Sequence, residues 1–269
     1  MSHPVPAALL AEWTKLRSVR SDLATLVAIA LLMITGTLLV VAGIDLPTCP
    51  NTCRNHPTPT ALPTTAAPDG TLALVGVHFA QLAVIVLAVA VMAGEFQPRL
   101  LRLTFAMRPG RLGVFGAKAA VVAGAVAVSA AVGVPLAVFA GRMLLEHRTG
   151  VPATGPSVRA IAGTVAYLAL IGLLSLGVAA AARSGPVASG VVVAALYGPY
   201  LLTLLVPLPA GTLHAIQDAS PMTAGLAVQA AAAGSGTAPI GPWAGLAVLG
   251  AYTCGCLLLG AALLHRRDA

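Results

Sequence analysis

No charged residue occurs between Asp22 and Asp45, and further uncharged runs of similar length recur down the chain. Backbone carried into hydrocarbon must satisfy its own N–H and C=O groups, so an apolar run of about 20 residues reads as a membrane-crossing helix. Cut at its charges and turn residues, the chain yields six such spans, at 23–44, 71–93, 119–141, 160–182, 187–206 and 243–264. Most are bracketed by charges, such as Lys118 and Arg142, or Arg159 and Arg183; the fifth lies between a Gly185-Pro186 turn and Pro207. Only 9% of residues are charged, against roughly 25% in a soluble domain. The expectation is an all-α membrane protein, residues 1–269 forming one transmembrane domain with no room for a soluble catalytic domain.

An even number of spans puts both termini on one side, and the positive residues say which. Lys15, Arg17, Arg20, Arg99, Arg102, Arg108, Arg111, Lys118, Arg183, Arg266 and Arg267 fall on one face, but only Arg54, Arg142, Arg148 and Arg159 on the other. The positive-inside rule then places both termini in the cytoplasm. The acids on the outer side balance its basic residues, so the whole formal charge of +7 lies on the cytoplasmic side. The first span is too long, and lacks the small-residue cleavage site, to be a signal peptide. A basic chain also raises nucleic acid as a partner, but the basic clusters interleaved with aromatics that such binders carry are missing.

Four regions lie between or before the spans. Residues 1–22 are expected to form a cytoplasmic amphipathic helix along the interface, with Leu9, Trp13 and Leu16 on its apolar side and Glu12, Lys15 and Arg17 on its polar side. Residues 46–70, rich in Pro and Thr, read as an irregular external loop. Residues 94–118 are cytoplasmic, with five basic residues against Glu95. Residues 207–242 are external, with an apolar stretch at 225–233 that is too short to cross and reads as a candidate re-entrant segment.

Candidate chemistry is sparse. The two lysines, Lys15 and Lys118, lie outside any G-x-x-x-x-G-K-[ST] phosphate loop, so the chain has no such means of hydrolysing nucleotide. No span contains Asp, Glu, Lys or Arg; His78 and Gln81, three apart on one helix face, are the best polar candidates, against a bland role in helix packing. Cys49 and Cys53, followed by His56, are open to three states: a disulfide, which external placement favours, two free thiols, or part of a zinc site lacking an evident fourth ligand. Cys254 and Cys256 point apart on a helix and read as packing residues, as do Gly163, Gly172 and Gly177. Ser175 and His78 lack the context of an intramembrane protease, and paired histidines for haem are missing. No catalytic residue and no metal site is expected.

Three stretches together resemble the membrane subunits of ABC-2 type transporters, especially actinobacterial ones. They are Glu12-Trp-Thr-Lys-Leu-Arg-Ser-Val-Arg20 before the first span, Gly94-Glu-Phe96 closing the second, and His265-Arg-Arg-Asp268 at the end. The resemblance implies a permease in the cell membrane, paired as a homodimer or heterodimer and working with a separate ATP-binding subunit that holds ATP and Mg. It implies export of a hydrophobic compound, drug, antibiotic or lipid, and no cofactor or enzymatic activity in this chain. Trp13, Lys15, Leu16 and Arg17 would belong to the surface helix. A coupling segment touching the ATPase would carry Glu95, Phe96, Arg99, Arg102, Phe105, Arg108 and Arg111. The chain departs from many relatives in having Pro98-Arg99 where they have a Gly-Thr pair. The arginines and apolar anchors of that segment suit an interface, and equally suit setting orientation or binding anionic headgroups. The competing reading of the whole chain is a membrane-bound sensor or immunity protein without transport activity.

Overall fold

A computed structural model describes residues 4–43, 70–96, 111–149, 155–206, 209–229 and 240–267. These residues are helical throughout, with no strand among them. Helix α1 (Pro4–Ser18) is followed after a break at Val19 by α2 (Arg20–Gly43). A 3₁₀ turn (Gly70–Leu74) leads into α3 (Val77–Ala93), which ends in a second 3₁₀ turn (Gly94–Phe96). Then come α4 (Arg111–Thr149), α5 (Val158–Ala182) and α6 (Gly185–Leu205), two short helices, α7 (Ala210–Ala219) and α8 (Pro221–Leu226), a 3₁₀ turn (Ala227–Gln229), and α9 (Pro242–Arg267). Six of the helices, α2, α3, α4, α5, α6 and α9, are long and apolar enough to cross a membrane. The chain is a multi-pass membrane protein.

The expected spans and the observed helices coincide in number and place, with one extension. The third was expected at 119–141, between two charges; α4 instead runs from Arg111 to Thr149 and carries Lys118 within it. Charges do not stop a helix that can find partners for them, and Lys118 finds two, described below. Pro135 lies inside α4 and costs it a backbone hydrogen bond.

Close packing fixes the order of the bundle. Helix α4 runs parallel to α2: Ser129 donates to the carbonyl of Leu26 at 2.6 Å, and a Cβ on Gly133 would come within 2.8 Å of the Ala30 backbone. At the far end the guanidinium of Arg148 donates to the carbonyls of Val41 and Ala42, the latter at 2.9 Å. Those carbonyls end α2 without helical partners, so a cation there answers both the orphan acceptors and the negative end of the helix dipole. Helices α5 and α9 also run parallel. A Cβ on Gly177 would lie 2.6 Å from the backbone of Cys256, and one on Gly260 would lie 2.8 Å from the carbonyl oxygen of Gly177. Without water to drive association, bare backbones in contact maximise dispersion between membrane helices. Gly163 and Gly172 serve similarly, against Val228 and Val84. Gly76 lies so close to the Met33 carbonyl that no side chain fits there, and Thr37 accepts its N–H at 3.2 Å.

The largest buried side chains cluster on α3, α5 and the inner faces of α2 and α4. The outward faces carry large apolar groups such as Leu39, Val128, Phe139, Leu205, Trp243 and Leu258. A soluble protein would hide these; a surface in contact with acyl chains has no reason to.

Candidate functional site

Charged residues from three elements converge at one end of the bundle. The Nζ of Lys118 on α4 lies 2.6 Å from Oε2 of Glu12 on α1 and 3.2 Å from Oε1 of Glu95, just after α3. Lys15, on α1, also pairs with Glu95. Lys118 is only 3% exposed, so its ammonium exchanges water for carboxylates. An isolated buried ammonium would be costly; two carboxylates within salt-bridge distance offset that cost. Burial pushes the Glu95 carboxyl up, but the two lysines outweigh it and hold the group below its ordinary value. The result is a four-residue ionic network binding α1, the end of α3 and the start of α4 together.

This network changes the reading of α1. The spacing of Leu9, Trp13 and Leu16 predicts an apolar inner side with Glu12 facing outward. In the structure the buried positions are Ala8 and Leu16, with Glu12 between them on the same face, while Trp13 is 46% exposed and Arg17 exposed. A period of four, through 8, 12 and 16, governs the contact because Glu12 has a buried cation to reach. Lys118, counted among the basic residues of 94–118, is an internal ion-pair residue and is not offered to an outside partner.

Of the proposed coupling residues, Glu95 is thus built into the bundle. Phe96 closes the 3₁₀ turn and Arg111 begins α4, while Arg99, Arg102, Phe105 and Arg108 lie outside the described residues. Cys49 and Cys53 also lie outside them. Cys254 and Cys256 are free thiols, as their spacing on one helix dictates. Among the described residues, no group of three or more His, Cys, Asp or Glu is placed to hold a metal ion.

A second polar constellation is neutral and lies inside the bundle. Gln81 on α3 is fully buried. Its Oε1 accepts from the hydroxyl of Tyr167 on α5 at 2.6 Å, and its Nε2 donates to the hydroxyl of Tyr197 on α6. Tyr197 in turn donates to the backbone carbonyl of His78 at 2.8 Å. Every donor in this chain points the same way, from Tyr167 to the His78 carbonyl, an arrangement in which successive bonds polarise one another. The Sδ of Met222, on α8, lies 3.8 Å from Gln81 Nε2. The sequence singled out His78 and Gln81 as neighbours; the structure gives the work to Gln81 and to the His78 backbone, leaving the imidazole out. The tyrosines were missed because their partner is distant in sequence.

Within 207–242, residues 221–229 pack against this network. The buried part begins at Ser220, ahead of the expected 225–233, and Pro221, Met222, Ala224, Gly225 and Val228 are all buried. A Cβ on Gly225 would strike the Tyr167 ring at 2.8 Å, and Gln229 donates to Thr164 at 2.9 Å. Residues 230–239 lie outside the described set.

Compared with known protein families, with curated proteins and with solved structures, the chain matches none. Fold and sites therefore rest on its own residues.

Proposed function

We propose that this chain is the membrane-spanning subunit of an ATP-driven exporter of the ABC-2 type, acting with a separate ATP-binding subunit in the cell membrane. The observation that carries the proposal is the anchoring of Glu95. The segment that follows it, 97–110, holds the arginines and apolar residues suited to docking, and its first fixed point is tied by Lys118 and Lys15 to two other helices. Movement imposed on that segment would be passed to α1 and α4 together. The three stretches that resemble ABC-2 type membrane subunits support the same reading, as does the excess of Lys and Arg on the side that would face the cytoplasm.

In this reading ATP closes a pair of partner subunits, which pull on 97–110 and shift two six-helix bundles between inward-open and outward-open arrangements. ATP can drive that shift only if the partner binds one arrangement better than the other. The apolar interior suits a hydrophobic cargo, such as a drug or lipid. Co-purification in detergent with a co-expressed ATP-binding subunit tests the docking assignment. Wild type should retain the partner, and Arg102→Glu with Phe105→Ala should release it. Unchanged retention by that double variant rejects docking at 97–110.

A further inference from the structure

Arg17 and Arg20 are exposed and, among the described residues, neither forms an ion pair. The neighbouring acids are used elsewhere. Glu12 is drawn to Lys118, and Glu95 to Lys118 and Lys15. Asp22 lines a cavity between α1, α2, α3 and α4 together with Glu12, Lys15 and Lys118, and neither arginine lines it. The acids described at this end of the bundle thus turn toward α3 and α4. Leu10, Trp13 and Arg17 fall on the side of α1 away from Ala8, Glu12 and Leu16, so that side carries cations and an aromatic ring with no acid among them.

This side of α1 runs on into the surface of a membrane-crossing helix. Val19 interrupts the helix for one residue, but its N–H still donates to the Lys15 carbonyl and its carbonyl still accepts from Leu23, both at 3.3 Å, so the helical register passes through the break. Trp13, Arg17, Arg20, Ala24, Val27 and Leu31 then follow at alternating steps of four and three, and all six are exposed. Residues so spaced share one helix face. Arg20 is the first residue of the span Arg20–Gly43, so Ala24, Val27 and Leu31 meet acyl chains while the two arginines and Trp13 stand at its end, where headgroups lie.

We infer that Arg17 and Arg20 bind the phosphate of an anionic phospholipid whose acyl chains lie along Ala24, Val27 and Leu31. A guanidinium presents a planar fork of N–H donors that matches two phosphate oxygens at once, and Trp13 suits the polar boundary beside them. A zwitterionic lipid carries its own cation next to the phosphate, which would meet the two arginines with like charge; an anionic lipid brings none. The unbroken run from the arginines onto the acyl-facing side of α2 is what assigns the face to a lipid and not to a soluble protein. The inference does not rest on the transport reading.

The full-length chain, purified in a neutral detergent, is exposed to equal amounts of phosphatidylglycerol and phosphatidylcholine, and the bound lipid is counted by native mass spectrometry. The expected result is at least about fivefold retention of the glycerol lipid over the choline lipid. Arg17→Gln with Arg20→Gln should bring that preference below about twofold. Arg266→Gln with Arg267→Gln, which removes the same charge at the end of α9, should leave it in place; thermal melting checks that both variants remain folded. Equal retention of the two lipids by wild type, or a preference that survives the substitutions at 17 and 20, overturns the inference. An equal loss in both variants also overturns it, because the net charge of the chain and not this face would then select the lipid. If the substitutions at 17 and 20 release a co-expressed ATP-binding subunit and leave the lipid preference intact, the face belongs to that protein and the lipid assignment falls.

Discussion

Lys118 donates to Glu12 at 2.6 Å, joining the middle of α1 to the start of α4 across a separation of 106 residues. This bond makes α1 part of the bundle, not merely a helix lying beside it. Replacing Lys118 by Met would leave Glu12 and Glu95 partly buried without their shared cation, and removal of one partner of such a pair costs on the order of 3 kcal/mol. The expected outcome is release of α1, read by thiol labelling at Ala8→Cys, a position 7% exposed. In a background with the four native cysteines replaced by serine, labelling should be slow and rise at least about tenfold with Lys118→Met. The paired exchange Glu12→Lys with Lys118→Glu should recover part of the protection.

Acid should weaken the same junction. The Glu95 carboxyl is held below its ordinary value of 4.5 in the folded chain. A group with a depressed folded value stabilises fully above its unfolded value, and that contribution is lost as pH falls through the folded value. The Glu95 contribution to the melting temperature should therefore be constant near neutrality and decline below about pH 4.5. Comparing wild type with Glu95→Gln over that range isolates the contribution: the variant should start lower at neutral pH and lose less on acidification.

The neutral network should behave as a unit. Gln81→Leu strands the hydroxyl of the fully buried Tyr167 and takes from Tyr197, which keeps its bond to the His78 carbonyl, the N–H it accepts, at a cost of about 1–3 kcal/mol for an unsatisfied buried group. Tyr167→Phe leaves only the Gln81 oxygen wanting a donor and should cost about 1 kcal/mol. Combined, the two should cost less than their sum by about 0.5 kcal/mol or more, since they remove the same bond. Unfolding in mixed detergent measures all three. His78→Ala should stay near wild type, because only the His78 backbone takes part.

The contact between α5 and α9 admits no side chain. Gly177→Ala would place a methyl 2.6 Å from the Cys256 backbone, and overpacking of this kind typically costs about 1–3 kcal/mol. Gly255, on the same helix as Cys256, has nothing within 4 Å of a Cβ, so Gly255→Ala should be neutral. Detergent melting curves of the two variants make the comparison.

How much of this was legible beforehand follows from the physics of each signal. The six spans were readable because hydrocarbon imposes length and apolarity on every crossing, which is local information. The packing roles of Gly163, Gly172 and Gly177 were readable from residue size. The inward turn of Glu12 was not, since its cause is Lys118, far along the chain, and a lysine at the edge of a hydrophobic run looks like a boundary. Gln81 stood out as the amide in an apolar run, but Tyr167 and Tyr197 look like any aromatic until the fold brings them to it. The short buried helix Pro221–Leu226 reads from sequence as external loop, with only 225–233 standing out as apolar and re-entrant, because what defines the helix is its packing against α5 and α9.

The proposed function requires this bundle to transmit the work of an ATP-binding partner through the segment rooted at Glu95. The most direct measurement is the ATPase rate of a co-purifying ATP-binding partner in proteoliposomes with and without this chain. The expected rate is several-fold higher with wild type, with stimulation lost in Lys118→Met that still co-purifies with the partner. A rate unaffected by the wild-type chain would rule out coupling through this segment.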